Sequence, residues 1–120
     1  MTQPQQGPHF GSVDEFVREY LCQTFARPVG SRSGRFWSAE WWKSHEATVR
    51  LDALWRSWES AIRDPNDGMS MWLRDHADYH MNILFSADGP FGRSRDETGP
   101  GEPLPYSPPP PGMFPDLRGN

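Results

Sequence analysis

The sequence lacks most of the features that would assign it to a compartment from composition alone. It has one cysteine among 120 residues, so no disulfide can form within the chain. Its longest apolar stretches, such as residues 83–85, fall far short of the roughly 20 residues needed to span a bilayer. The N-terminal segment has neither the basic region nor the apolar region of a secretory signal. We therefore expect a cytoplasmic protein with no membrane partner.

Excess positive charge and the common catalytic motifs are also missing. The net charge is −4 at pH 7, which disfavours a protein that binds nucleic acid over its whole surface but does not exclude a local basic patch. There is no Walker loop, no glycine motif for dinucleotides, and no nucleophile with a recognisable partner base. The sequence therefore predicts no catalytic residues and no enzyme activity.

Tryptophan and proline are abundant, and they are separated along the chain. All six tryptophans lie between residues 12 and 85, together with every clear helical periodicity. Residues 86–120 contain nine of the thirteen prolines, which prevent a continuous helix. Residues 1–11 are rich in Gln, Pro and Gly. We expect a disordered arm over 1–11, a helical domain over 12–85, and a disordered or loosely docked tail over 86–120.

Three helices are predicted within that domain, at about 12–26, 44–63 and 70–85. Ser12 and Glu15 form a capping box at the start of the first helix, and Pro28 follows its end. Its inner stripe includes Thr24 and leaves Cys22 outside. The predicted fold class is all-α, a small three-helix bundle in which most of the tryptophans form the core.

Two histidines on the third helix are candidate metal ligands. His76 and His80 are four residues apart, the spacing that lets two imidazoles reach one metal ion. Zinc proteases place a glutamate after the first histidine, but Ala77 stands here, so that class is excluded. Further ligands would have to come from elsewhere, with four candidates: His45, Cys22, Glu46 and Glu59. Both lie on the predicted inner stripe of this helix, which consists of Trp72, Leu73, His76, Ala77, Tyr79, His80, Ile83 and Leu84. The alternative is that they are core histidines, hydrogen-bonded to a carboxylate, a backbone carbonyl or a Trp N–H. We expect no cofactor, with zinc as the alternative.

A loop after the first helix combines basic and aromatic side chains. Guanidinium groups beside aromatic rings can hold phosphates and stack bases. The candidate nucleic-acid residues are Arg27, Arg32, Arg35 and Lys43. The alternative is a solvated loop whose aromatic side chains turn inward.

The proline-rich tail carries apolar side chains that an inert spacer does not need. A proline run adopts polyproline II and fits aromatic grooves, either those of a partner or this domain's own. A plain disordered tail is the alternative. Surplus aromatic residues without a catalytic set predict a non-enzymatic module that binds a protein partner. The candidate partner-binding residues are Arg35, Trp37, Trp41, Trp42, Tyr106, Met113 and Phe114.

The order of several short blocks along the chain resembles that of one protein family. The blocks are GRFW at 34–37, EWW at 40–42, LDALWRSWE at 51–59, GMS at 68–70, DHADYHM at 75–81, DGPF at 88–91 and PGMFPD at 111–116. They are similar to the actinobacterial family known as domain of unknown function 4913, over nearly the whole chain from about residue 13. The resemblance implies an actinobacterial source and an accessory role on a plasmid, integrative element or phage. It implies no activity, because the family has no established catalytic or binding residues.

Overall fold

A computed structural model describes residues 7–119 and shows three helices with no strand in that part of the chain. Helix α1 covers residues 13–24, α2 covers His45–Ala61, and α3 covers residues 68–85. A 3₁₀ turn at Trp41–Lys43 precedes α2. The predicted all-α class is confirmed, and the helices predicted at about 12–26, 44–63 and 70–85 correspond to α1, α2 and α3. Across the described residues, no helix is both long enough and apolar enough to cross a membrane.

Serine side chains begin two of the three helices. The hydroxyl of Ser12 accepts the N–H of Glu15 at 3.1 Å, while the Glu15 carboxylate accepts the N–H of Gly11 at 2.7 Å. The reciprocal bond of the capping box is therefore displaced by one residue from the usual pattern. At α2, the hydroxyl of Ser44 accepts the N–H of Ala47 at 3.1 Å. Both helices thus begin where a side chain satisfies an amide that has no partner within the helix.

Helices α1 and α3 each contain one π-helical turn, at Val17–Leu21 and Leu73–Ala77. In each helix an N–H bonds five residues back: Cys22 donates to Val17, and Asp78 donates to Leu73. A π turn adds one residue to the helical turn. Every apolar position that follows it is therefore displaced from a straight 3.6-residue pattern.

This displacement changes which side chains reach the core. In α1, Cys22 is buried and Thr24 is exposed, the reverse of what the sequence predicts. In α3, Met81 is buried, whereas His76 is exposed and His80 is only partly buried. The predicted placement of the two histidines on the inner stripe is wrong, because a uniform helical period omits the extra residue of the π turn.

Five of the six tryptophans lie in the core. They are Trp37, Trp41, Trp55, Trp58 and Trp72. The indole N–H of Trp72 donates to the Ser57 hydroxyl at 2.9 Å. Within the described residues, the indole N–H groups of Trp37, Trp41 and Trp58 are buried and have no acceptor. The tryptophan side chains therefore stabilise the core through their apolar surface, and the three unsatisfied N–H donors reduce that stabilisation.

The segment 86–119 packs along the helices. Phe91 and Leu104 are buried in the same core as the helical residues. Leu104 donates its N–H to the carbonyl oxygen of Cys22 at 3.0 Å, and Thr98 donates to that of Val29 at 3.1 Å. Of the two predicted alternatives for this tail, disorder is wrong, because prolines prevent a helix but do not prevent apolar side chains between them from packing.

The carboxylate of Glu59 attaches the N-terminal arm to α2. It accepts the N–H groups of His9 at 2.7 Å and Phe10 at 2.9 Å, and the indole N–H of Trp55 at 3.0 Å. Phe10 is buried against Trp58, with ring centroids 5.0 Å apart. The predicted disorder of residues 1–11 is therefore wrong for 7–11, and residues 1–6 lie outside the described part of the chain.

We expect Glu59→Gln to lower the free energy of unfolding by about 1–3 kcal/mol, because it replaces charge-assisted hydrogen bonds with neutral ones and puts an N–H donor where an acceptor is needed. Urea denaturation measures the change. Asp52→Asn is the matched control, since this carboxylate on the same helix only pairs with the exposed Arg56 at 2.8 Å. An equal decrease in the free energy of unfolding in the two variants would contradict the conclusion that Glu59 attaches the arm to α2.

Candidate interaction site

Trp37 and Trp41, both predicted to face a partner, are completely buried. The ring of Trp37 lies 4.9 Å from that of Phe91, and the ring of Trp41 stacks on that of Phe114 at 5.4 Å. Both of these phenylalanines belong to the tail. The prediction for the two tryptophans is wrong in this conformation, because the tail folds back and covers them.

The other aromatic candidates are joined to the tail or lie within it. Trp42 is half-buried and donates its indole N–H to the carbonyl oxygen of Ser107 at 3.0 Å. Tyr106 donates its hydroxyl to the carboxylate of Asp14 at 2.6 Å. Burial, followed by the bond to Asp14, raises the pKa of Tyr106 above its ordinary value. Met113 remains 44% exposed. These residues therefore form a contact within the chain, with Met113 at its open edge.

The four predicted nucleic-acid residues already have contacts within the chain or acidic neighbours. The guanidinium of Arg27 lies over an aromatic ring, and that of Arg35 donates to a backbone carbonyl in its own loop at 2.8 Å. Lys43 pairs with a glutamate on the 3₁₀ turn at 3.0 Å. Arg32 is exposed beside a depression whose lining includes two glutamates of the tail. Nucleic-acid binding through these side chains stays a prediction.

His45 and Glu46 line the same depression as His80, but in the described part of the chain they do not complete a metal site with it. Within residues 7–119, no group of three or more His, Cys, Asp or Glu side chains is arranged to hold a metal ion. Cys22 lies in the core, where burial raises the pKa of its thiol to about 12. Glu59 binds the arm. Zinc binding by the histidine pair therefore gains no additional ligand from the described residues.

A contact with Arg50 of α2 assigns the tautomer of His80. Its Nη1 lies 3.0 Å from Nδ1 of His80, and a guanidinium nitrogen can only donate. Nδ1 must therefore accept, which assigns the ring proton to Nε2 in a neutral imidazole. Burial, then the charge of Arg50, then His76 lower the pKa of His80 below its ordinary value. Glu46 pairs with Arg50 at 2.9 Å and holds the guanidinium in place.

Two depressions with mostly apolar walls, of about 430 and 440 Å³, lie between α2 and α3, and we refer to them together as the groove. The first is lined by His45, Glu46, Val49, Arg50, Ala53 and His80. The lining of the second includes Ser57, Ala61, Met71, Trp72, Asp75 and His76. The two follow one another along the same helix faces, because Ala53 and Ser57 are four residues apart on α2, as His76 and His80 are on α3.

Several apolar side chains of this region remain open to solvent. Val49 is 54% exposed, Met71 is 48% exposed, and Tyr79, next to His80, is 60% exposed. Sequence reasoning missed Val49 and Met71, although both are apolar residues outside the predicted inner stripes. It placed Tyr79 inward, and the π turn of α3 carries it outward instead.

Comparison with known proteins identifies a family. The model of a family described as "Domain of unknown function (DUF4913)" matches residues 10–110, which include all three helices and most of the tail. No curated protein and no solved structure matches the chain.

We expect Arg50→Gln to raise the pKa of His80 toward its ordinary value of about 6.5, because the substitution removes the adjacent positive charge. Titration of the histidine ring signals by NMR measures this. Arg56→Gln, one turn and a half further along α2, is the control and should leave the pKa of His80 unchanged. If the pKa of His80 did not change in Arg50→Gln, the contact between Arg50 and the His80 ring would be contradicted.

The same shift gives stability a pH dependence of known sign. Because the pKa of folded His80 lies below that of the unfolded chain, the unfolded chain binds the proton more readily. Neutral His80 therefore contributes to the free energy of unfolding above about pH 6.5, and this contribution is lost as the pH falls below that value.

Proposed function

The chain belongs to the DUF4913 family, and we propose that it is a non-enzymatic module that binds a partner protein in the groove between α2 and α3. One observation carries this proposal: Val49 and Met71 line an apolar groove and keep about half of their surface exposed. Exposed apolar side chains that line a concave surface are typical of interaction sites.

The shape of the groove favours a helix as the partner's contacting element. On α2 the lining extends from His45 to Ala61, a distance of about 24 Å at 1.5 Å per residue. That length matches about four and a half turns of a helix lying between α2 and α3. An amphipathic helix would place apolar side chains at i, i+3, i+4 and i+7 into the groove.

Charged side chains at the two ends of the groove would set the direction of the bound helix. The Glu46–Arg50 pair lies at one end, and Asp64 lies at the other, without an ion pair in the described residues. A basic residue at the corresponding end of the partner helix would complement it.

The resemblance of the sequence blocks supports a further part of the proposal. We propose that the partner is another protein of an actinobacterial mobile element, such as a plasmid, integrative element or phage. In that setting, the protein acts as an accessory component that joins other proteins.

Site-specific crosslinking tests the groove. Ala53→Cys places a thiol on an exposed groove position, and a benzophenone maleimide attached there forms covalent adducts with a partner in a host lysate. The native Cys22 does not compete for the reagent, because it is buried and its pKa is about 12. We expect a defined adduct that Val49→Asp in the same protein reduces at least about tenfold, since it puts a charge into an apolar contact.

Ala87→Cys is the matched control, because Ala87 is exposed after the end of α3 and lies outside the groove lining. It should give no such adduct. The same adducts from both positions, or none from Ala53→Cys, would exclude the groove as the binding surface.

A further inference from the structure

The tail segment 103–114 occupies a built surface on its own domain. We define the tail cradle as the side chains of Asp14, Trp41 and Trp42 with the carbonyl oxygens of Cys22 and Ala39. Five contacts hold the segment there, and each joins one cradle group to one tail residue. They are Leu104 to Cys22 (3.0 Å), Ser107 to Ala39 (3.0 Å), Trp42 to Ser107 (3.0 Å), Tyr106 to Asp14 (2.6 Å) and Phe114 on Trp41 (5.4 Å between centroids).

The prolines contribute little to this attachment. Pro108, Pro110 and Pro111 are exposed, and Met113 beside them is 44% exposed. Only Leu104 is fully buried, while Tyr106 is partly buried. The segment is thus held at its two ends, and its middle is open to solvent.

The pattern of contacts is that of peptide recognition. Domains that bind proline-rich peptides use aromatic grooves whose side chains contact an extended, preformed chain at low entropic cost. In the tail cradle, the indole N–H of Trp42 donates to a main-chain carbonyl, and Ser107 donates its own N–H to Ala39. Both of these bonds go to main-chain groups that any peptide presents, and apolar or aromatic side chains on either side add specificity.

We propose that the tail cradle is a binding site for extended peptides of other proteins, and that the chain's own tail is a competitor that occupies it in their absence. The peptide class has a leucine in the position of Leu104, a tyrosine in that of Tyr106 and an aromatic residue in that of Phe114. This site shares no residue with the groove between α2 and α3, so either can fail without the other.

Competition with the tail gives a measurable signature. A tethered segment acts at an effective concentration in the millimolar range, so a free peptide binds weakly until the tail is loosened. The probe is a fluorescent synthetic peptide of residues 102–118, titrated into the full-length chain and followed by anisotropy. We expect Phe114→Ala in the protein to tighten peptide binding by about tenfold, because the peptide retains the aromatic stack that the variant tail has lost.

Two further variants keep the test decisive. Tyr106→Phe removes only the hydroxyl bonded to Asp14 and should tighten peptide binding by a smaller factor, even if Phe114→Ala proves poorly folded by circular dichroism. Trp42→Phe in the Phe114→Ala protein removes the donor to the main-chain carbonyl and should weaken binding by about three- to tenfold. The proposal would be overturned if the peptide bound equally to the wild type and to both tail variants, or if Trp42→Phe had no effect on binding. It would also be overturned if none of these proteins bound the peptide at 1 mM, which is about the effective concentration of a short tether.

Discussion

The structure depends on one constraint: three short helices cannot enclose five large indole rings by themselves. Chain segments from outside the bundle complete the enclosure. Phe10 of the arm packs on Trp58, Phe91 of the tail packs on Trp37, and Phe114 stacks on Trp41. In a domain of this size, each buried aromatic side chain is a large part of the net stability. The arm and the tail are therefore parts of the folded unit, and the glutamate at position 59 is the main polar link between the arm and the bundle.

The two π turns determine what the outer surfaces carry. In α3, the turn at Leu73–Ala77 brings Ala77 and Met81 into the core, while His76 is exposed and Tyr79 is 60% exposed. The same displacement puts His80 at the border of α2, where Arg50 contacts its ring. The groove between α2 and α3 and the charged groups around it thus follow from one extra residue in a helical turn. π turns are frequent at functional sites, and here one forms the wall of the candidate site.

The proposed groove and the tail cradle use opposite physical means of recognition. The groove offers apolar side chains such as Val49 and Met71 to a helix, whose backbone is already satisfied. The tail cradle offers main-chain and indole groups to an extended segment, whose backbone still needs partners. A module with both surfaces could bind two proteins at once. Such bridging would suit the proposed accessory role better than a single binding surface would.

By itself, the sequence determined the local features of this protein. Three helices could be predicted from the caps at Ser12 and Ser44, the turn before residue 68 and the apolar periodicity. These signals act between residues only a few positions apart. The block order led to the family for a similar reason, since it needs no spatial information. Only the tertiary structure decided that Trp41 lies under Phe114, that Cys22 lies inside and that His80 meets Arg50. Those outcomes depend on contacts between residues far apart in the chain and on two π turns, and neither leaves a periodic trace in the sequence.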